Sequence, residues 1–225
     1  MNEFFQGILS GGVAWQDIGW ATIDTLLMLA GALSLTIALG LPLGILLFLT
    51  SPKKLLSAPR TYALISFGVN ILRSLPFVIL LIAMIPLTVL LTGTSLGVAG
   101  AIPPLVVGGT PFFARLVETA LREVDHGIVE ASLAMGASVR QIVTGALLPE
   151  ALPGIIAAAT VTAIALVSYT ALSGVVGGGG LGDLAIRYGY QRFQLNVMFI
   201  TIILLLLLVQ ILQSVGNRMV IHFSR

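Results

Sequence analysis

Three groups of residues in this chain have types and spacings that could do chemistry. The first is Glu130-Ala131-Ser132, followed by Met135-Gly136 and, further on, Leu148-Pro149, all within the long polar segment 115–150. A carboxylate and small residues on a short helix that ends at a glycine form a surface suited to docking rather than catalysis. The second is Ser168, Tyr169, Thr170, Leu172 and Ser173, where hydroxyls interrupt an apolar stretch. Such hydroxyls can line a path for a polar zwitterion or bond neighbouring helices together. The third is Gly177–Gly182 with Asp183 behind it, which invites a phosphate-loop reading. It lacks the Lys-Ser/Thr pair of such a loop, and no strand precedes it. We therefore expect a mobile re-entrant or outer-face turn, with Tyr188, Tyr190 and Phe193 behind it as an interfacial aromatic belt. Covalent and metal chemistry lack members. His126 and His222, the only histidines, fall in segments expected to be cytoplasmic and near neither Ser168 nor Ser173, so a nucleophile has no base in reach. His126 with Asp125 offers two metal ligands at most, and the chain has no cysteine.

The elements that must position these groups follow from the charges. Of 225 residues, 57% are hydrophobic and 9% charged, with a mean hydropathy of +1.08. This excludes a disordered chain and an ordinary soluble enzyme, and a net charge of +2 without a basic stripe excludes nucleic-acid binding. Uncharged runs separate Asp24 from Lys53 (28 residues), Arg73 from Arg115 (41), Glu150 from Asp183 (32) and Arg192 from Arg218 (25). A bilayer core takes about 20 apolar residues as helix. The 41-residue run therefore holds two spans, divided at the polar turn Thr92-Gly93-Thr94-Ser95. The expectation is one all-α membrane domain over residues 1–225, with spans at about 25–50, 74–92, 97–115, 151–173 and 196–216 and a loop at 116–150. The acidic residues Glu3, Asp17 and Asp24 before the first span read as an uncleaved leader rather than a signal peptide.

With the N-terminus outside, Lys53, Lys54, Arg60, Arg73, Arg115, Arg122, Arg140, Arg218 and Arg225 are cytoplasmic, while Arg187 and Arg192 are outside. That asymmetry fixes the expected orientation, N-out and C-in. Residues 60–73 should lie along or enter the membrane, with Arg73 snorkelling or facing protein. Gly40-Leu-Pro-Leu-Gly44 reads as a close-packing pattern. Span five, nearly pure Ile and Leu over Ile200–Val209, should face lipid. No ionisable residue sits at the centre of a span, and five spans do not divide into two equal inverted repeats. An ion-coupled carrier usually needs one or the other, so the driving energy is expected from elsewhere.

Glu130-Ala131-Ser132, Gly136 and Leu148-Pro149 match the spacing of the cytoplasmic "EAA" loop of ATP-binding-cassette (ABC) importer permeases: Glu-Ala-Ala, three residues, Gly, nine residues, Ile, one residue, Leu-Pro. Ser132 replaces the second Ala and Ala146 the Ile. The segments Asn70–Phe77, Met84-Ile85-Pro86, Gly93–Gly97, Pro111–Glu118 and Leu148–Gly154, with Tyr169, Gly174, Gly177–Gly182 and Tyr188-Gly-Tyr190, resemble permeases of the methionine-importer type over most of residues 60–192.

The resemblance implies a type I importer permease fold and a homodimer in the bacterial inner membrane. It also implies two ATPase subunits on the cytoplasmic side, which would bind the ATP and Mg, and a substrate-binding lipoprotein outside. The chain itself would bind no cofactor and hydrolyse nothing. A coupling helix at 128–136 would dock on the ATPase with Ile128, Ala131 and Met135 as its apolar stripe. A second helix would run from an N-cap at Ser138 to Leu148, with Pro149 setting where span four begins. The pathway or gate is expected at Ser168, Tyr169, Thr170, Leu172 and Ser173. Import of D/L-methionine or close analogues by alternating access is the functional expectation. A permease for another amino acid and a gradient-driven secondary carrier are the alternatives; an intramembrane enzyme would need an acid–base pair that the spans lack.

Overall fold

The computed structural model describes residues 13–52 and 54–224, so Glu3, Lys53 and Arg225 lie outside the described residues. Among the described residues the chain is helical throughout, without strands. Helix α1 spans Trp15–Thr50. At 1.5 Å per residue it is about 54 Å long, well beyond a hydrocarbon core of about 30 Å. Helix α2 (Pro59–Ser74) is followed by the short helices α3 (Phe77–Ala83) and α4 (Ile85–Thr92). Then come α5 (Gly97–Arg122) and the small α6 (His126–Ala134). Helix α7 (Val139–Ile142) passes through a π-helical turn (Val143–Leu147) into α8 (Leu148–Ser173). Helix α9 (Gly180–Leu184) continues through a second π turn (Ala185–Tyr190), and α10 (Leu195–Phe223) closes the chain.

Four continuous helical stretches are long and apolar enough to cross a membrane: Trp15–Thr50, Gly97–Arg122, Val139–Val176 and Leu195–Phe223. The expected second span at 74–92 takes another form. Its residues fall into α3 and α4, and α3 makes an apolar pair with α2 across a bend of 101°. The cause is local. Pro76 has no N–H to bond Leu72, and its ring disfavours helical backbone at Leu75, so α2 stops at Ser74. Pro86 then sits in the first turn of α4, where a missing N–H costs nothing.

Helix α5 is the centre of the fold, packed against α1, α2 and α8. The Gly40/Gly44 pattern acts as a packing surface. A Cβ on Gly44 would lie 2.6 Å from the Ala114 carbonyl oxygen, and one on Gly40 2.8 Å from the Phe113 ring. Among the described residues, two large apolar clusters make up most of the interior. One joins Met28, Phe77, Leu80, Leu105 and Leu166. The other, at the Arg122 end, joins Phe48, Phe113, Leu121, Ile142 and Leu147. Helix α10 buries only Val197, Thr201 and Gly216 and leaves its Ile/Leu side chains exposed.

Candidate functional site

At the Arg122 end, α6 and α7 form a small hairpin whose local bonds follow from its sequence. Asp125 caps α6, its Oδ1 accepting from the Gly127 N–H at 2.6 Å. This starts the helix two residues before the expected 128. The far end closes as a Schellman motif: the Gly136 N–H donates to the Leu133 carbonyl (2.9 Å) and the Ala137 N–H to that of Ser132 (3.1 Å). Gly136 has φ +76°, the left-handed geometry that favours glycine. Ser138 caps α7 as expected, in a reciprocal capping box with Gln141.

None of α6 is fully buried. Ile128 and Val129 pack on the cluster beneath, and the Ser132 hydroxyl bonds back to the Ile128 carbonyl at 2.8 Å. Glu130, Ala131, Leu133, Ala134 and Met135 point outward, with Leu133 49% and Met135 80% exposed. The expected stripe is therefore divided: Ile128 anchors the helix, while Ala131 and Met135 share the outer face with Leu133, a residue the spacing argument missed. The chain does not turn at Pro149. Backbone on both sides is helical, and the widened π turn just before the proline absorbs its ring and missing N–H. Leu148 is half-buried and Pro149 exposed.

A cavity of about 330 Å³ separates α6 from the loop after α1, lined by Phe48, Lys54, Leu55, His126, Glu130 and Leu133. Lys54 Nζ lies 3.3 Å from His126 Nε2 and 4.9 Å from the centre of the Phe48 ring. Burial and, secondly, the nearby Arg122 guanidinium hold the Lys54 ammonium below the usual lysine range.

Beside the hairpin is a polar seam that sequence reasoning missed. Glu118, 1% exposed, accepts from Arg115 at 2.7 Å and from Arg122 at 2.5 Å, and the Tyr62 hydroxyl donates to it at 3.2 Å. Arg115 also donates to Ser66 and Asn70, both at 2.8 Å. The seam ties α2 to the Arg122 end of α5. A signal did exist. Tyr62, Ser66 and Asn70 repeat every four residues, and Arg115, Glu118 and Arg122 every three or four, so each set occupies one helical face.

The expected pathway residues separate. Thr170 and Ser173 are buried, and their hydroxyls bond the Val167 and Thr170 carbonyls at 2.8 and 2.6 Å. Ser168 and Leu172 line an open groove of about 610 Å³ with Met198 and Ile202 of α10. Tyr169 faces a different cavity, stacked on Phe77 with ring centres 4.3 Å apart.

The glycine run is packed rather than open. Gly178, Gly180, Leu181 and Gly182 are buried. A Cβ on Gly182 would lie 2.2 Å from the Ala171 carbonyl oxygen, so α9 folds back directly against the end of α8. The Leu181 N–H donates to Thr25 Oγ1 at 2.9 Å, and the Gly97 N–H to the Gly177 carbonyl at 2.9 Å.

Residues 40–220 match the family model described as the binding-protein-dependent transport system inner membrane component. The probable D-methionine transport system permease protein MetI of Vibrio cholerae is 49% identical over 200 residues, covering 89% of each chain. The methionine import system permease protein MetP of Bacillus subtilis is 47% identical over 172 residues, covering 76% of this chain and 78% of that one. A solved structure of inward-facing conformations of the MetNI methionine ABC transporter superposes on 100% of both chains, with TM-score 0.90 and 45% identity.

Proposed function

The chain belongs to the binding-protein-dependent transport system inner membrane components, and on that premise we propose that it is the permease subunit of a methionine importer of the bacterial inner membrane. It is a non-catalytic subunit; ATP hydrolysis resides in a separate partner. In this reading α1, the broken unit α2–α4, α5, α7–α8 and α10 cross the membrane, N-terminus outside and hairpin inside. Two copies enclose the path, two ATPase subunits sit below them, and a substrate-binding protein delivers substrate from outside.

One observation carries the reading: α6 is capped at both ends, fixed to the core by Ile128 and Val129, and leaves Glu130, Ala131, Leu133 and Met135 exposed. An isolated helix this short is marginal in water, so an apolar outer face on it needs a partner groove. Nucleotide-driven closure of the ATPases would draw the two hairpins together. Because α7 runs into α8 without a break, that motion would reach Ser168–Ser173 directly.

The test is purification of the tagged chain with its ATPase, then uptake of radiolabelled methionine into proteoliposomes. Two copies of each subunit and ATP-dependent uptake are expected. The substitution Glu130→Arg should abolish uptake while leaving the permease folded in the membrane. A chain that purifies alone, or uptake that follows an ion gradient instead of ATP, would overturn the reading.

A further inference from the structure

Half-way along α5, Gly108 and Phe112 form one wall of a cavity of about 220 Å³, and Leu72, Arg73, Phe77 and Tyr169 form much of the rest. It opens where α2 breaks before α3. Phe112 lies three residues before Arg115, roughly 5 Å along the helix, so the cavity sits near the cytoplasmic boundary of the expected span 97–115. Gly108 helps shape the space. A Cβ there would come within 3.3 Å of the Phe77 ring, so the bare backbone lets Phe77 lie flat against Tyr169, 5° from parallel.

Arg73 is the unusual member. Its guanidinium lies 5.9 Å from the Phe112 ring centre, and among the described residues the ion pairs involve Arg115, Arg122 and Arg187 instead. Arg73 is exposed, and a guanidinium outside those ion pairs is free to take an incoming carboxylate. Three residues on, Pro76 has no N–H for the Leu72 carbonyl, and α2 ends with the negative pole of a 16-residue helix at the cavity edge. The site thus sets an exposed cation, an electron-rich helix end and stacked rings around a space too small for a drug-sized ligand.

We propose that this cavity is a transient seat for an α-amino acid in transit. The Arg73 guanidinium takes the carboxylate, the carbonyl end of α2 takes the ammonium, and Phe77, Phe112 and Tyr169 flank an apolar or thioether side chain, whose sulfur is well matched to aromatic edges. The seat rests on the methionine-permease reading and deepens it. It places recognition within the membrane chain and shares Tyr169 with the hydroxyl cluster singled out by the sequence.

The experiment uses the whole complex in proteoliposomes and a diazirine analogue of methionine that keeps the carboxylate and ammonium. During ATP turnover, photolabel should fall on peptides containing Leu72–Leu80, Gly108–Phe112 or Tyr169, and excess methionine should compete it away. In Arg73→Gln the competition should weaken about tenfold, as loss of one charge-assisted contact implies, while Arg73→Lys keeps most of it. Methionine amide, which lacks the carboxylate, should compete equally poorly with or without Arg73. Label confined to other segments, or Arg73→Gln indistinguishable from the parent, would overturn the seat and leave the permease reading standing. Label at the cavity competed by a different amino acid, but not by methionine, would support the seat and overturn methionine as its substrate.

Discussion

The hairpin at 126–147 and the seam around Glu118 lie at the same end of the molecule but are built by opposite means. The hairpin is made of local bonds, from Asp125 to Gly127, Gly136 to Leu133 and Ser138 to Gln141, and it leaves apolar surface outside. The seam joins two ion pairs within α5 to bonds between residues 45 to 60 positions apart, from Asn70 to Arg115 and from Tyr62 to Arg122, and it hides its one carboxylate. If the hairpin docks on the ATPase as proposed, it can be built locally, because its last contacts come from elsewhere. A joint that holds two membrane helices together must complete itself within the chain.

The seam should therefore be the more sensitive region. Glu118→Gln leaves Arg115 and Arg122 facing a neutral amide. Their side chains keep 20% and 46% exposure, so water meets part of the loss and the cost is about 1.5–3 kcal/mol, as for hydrogen bonds to charged groups. The expected outcome is a large drop in the denaturation midpoint in mixed micelles and poor recovery of folded chain. An unchanged midpoint would place the seam among exposed ion pairs of little worth and erase the contrast.

The hairpin should respond less in global stability and more in coupling. Gly136→Ala meets no neighbouring atom within 4 Å, so its cost is the left-handed backbone alone, about 1–2 kcal/mol. Faster amide exchange over residues 126–137 and reduced ATP-driven uptake are expected, with little change in the micelle midpoint. Ser138→Ala removes only the α7 cap, worth about 1 kcal/mol, and should give the same pattern more weakly. A global midpoint shift from either substitution, as large as that from Glu118→Gln, would show that the hairpin is part of the core.

The same contrast explains what the sequence could reveal. Uncharged runs locate long helices because hydrocarbon excludes charge, and the Glu130–Pro149 spacing locates the hairpin because its caps are local. The break at Ser74–Pro76 was harder to see. Residues 74–92 are apolar enough to read as one span, and only packing of α2 along α5 shows that residues 59–74 belong to the same unit. Glu118 was hidden for a related reason: Arg115 and Arg122 pair with it along α5, but Tyr62, Ser66 and Asn70 lie on α2, and polar faces of matching period become a seam only when the helices meet. Thr170 and Ser173 read as pathway hydroxyls by type, but the rotation of α8, which sequence does not fix, turns them into the core.

Lys54 lies between the two regions, against His126 of the hairpin and within reach of the Arg122 charge, and it should give the smallest effect. Burial and then Arg122 depress its pKa, so the folded chain binds this proton less readily than the unfolded chain. Below the folded-state value both states are protonated and the folded protein carries the cost of the charge. As pH rises from that value towards the ordinary lysine value, the unfolded chain holds the extra proton and this contribution turns in favour of folding. Lys54→Met keeps an apolar stem over the Phe48 ring and removes the titration. At neutral pH its midpoint should equal or slightly exceed that of the parent, and the parent should gain on the variant as pH rises through the alkaline window. A parent that loses ground there instead would mean that the Lys54 ammonium is held by a favourable partner, and that the hairpin and the seam are joined by a charge interaction rather than separated by a strained one.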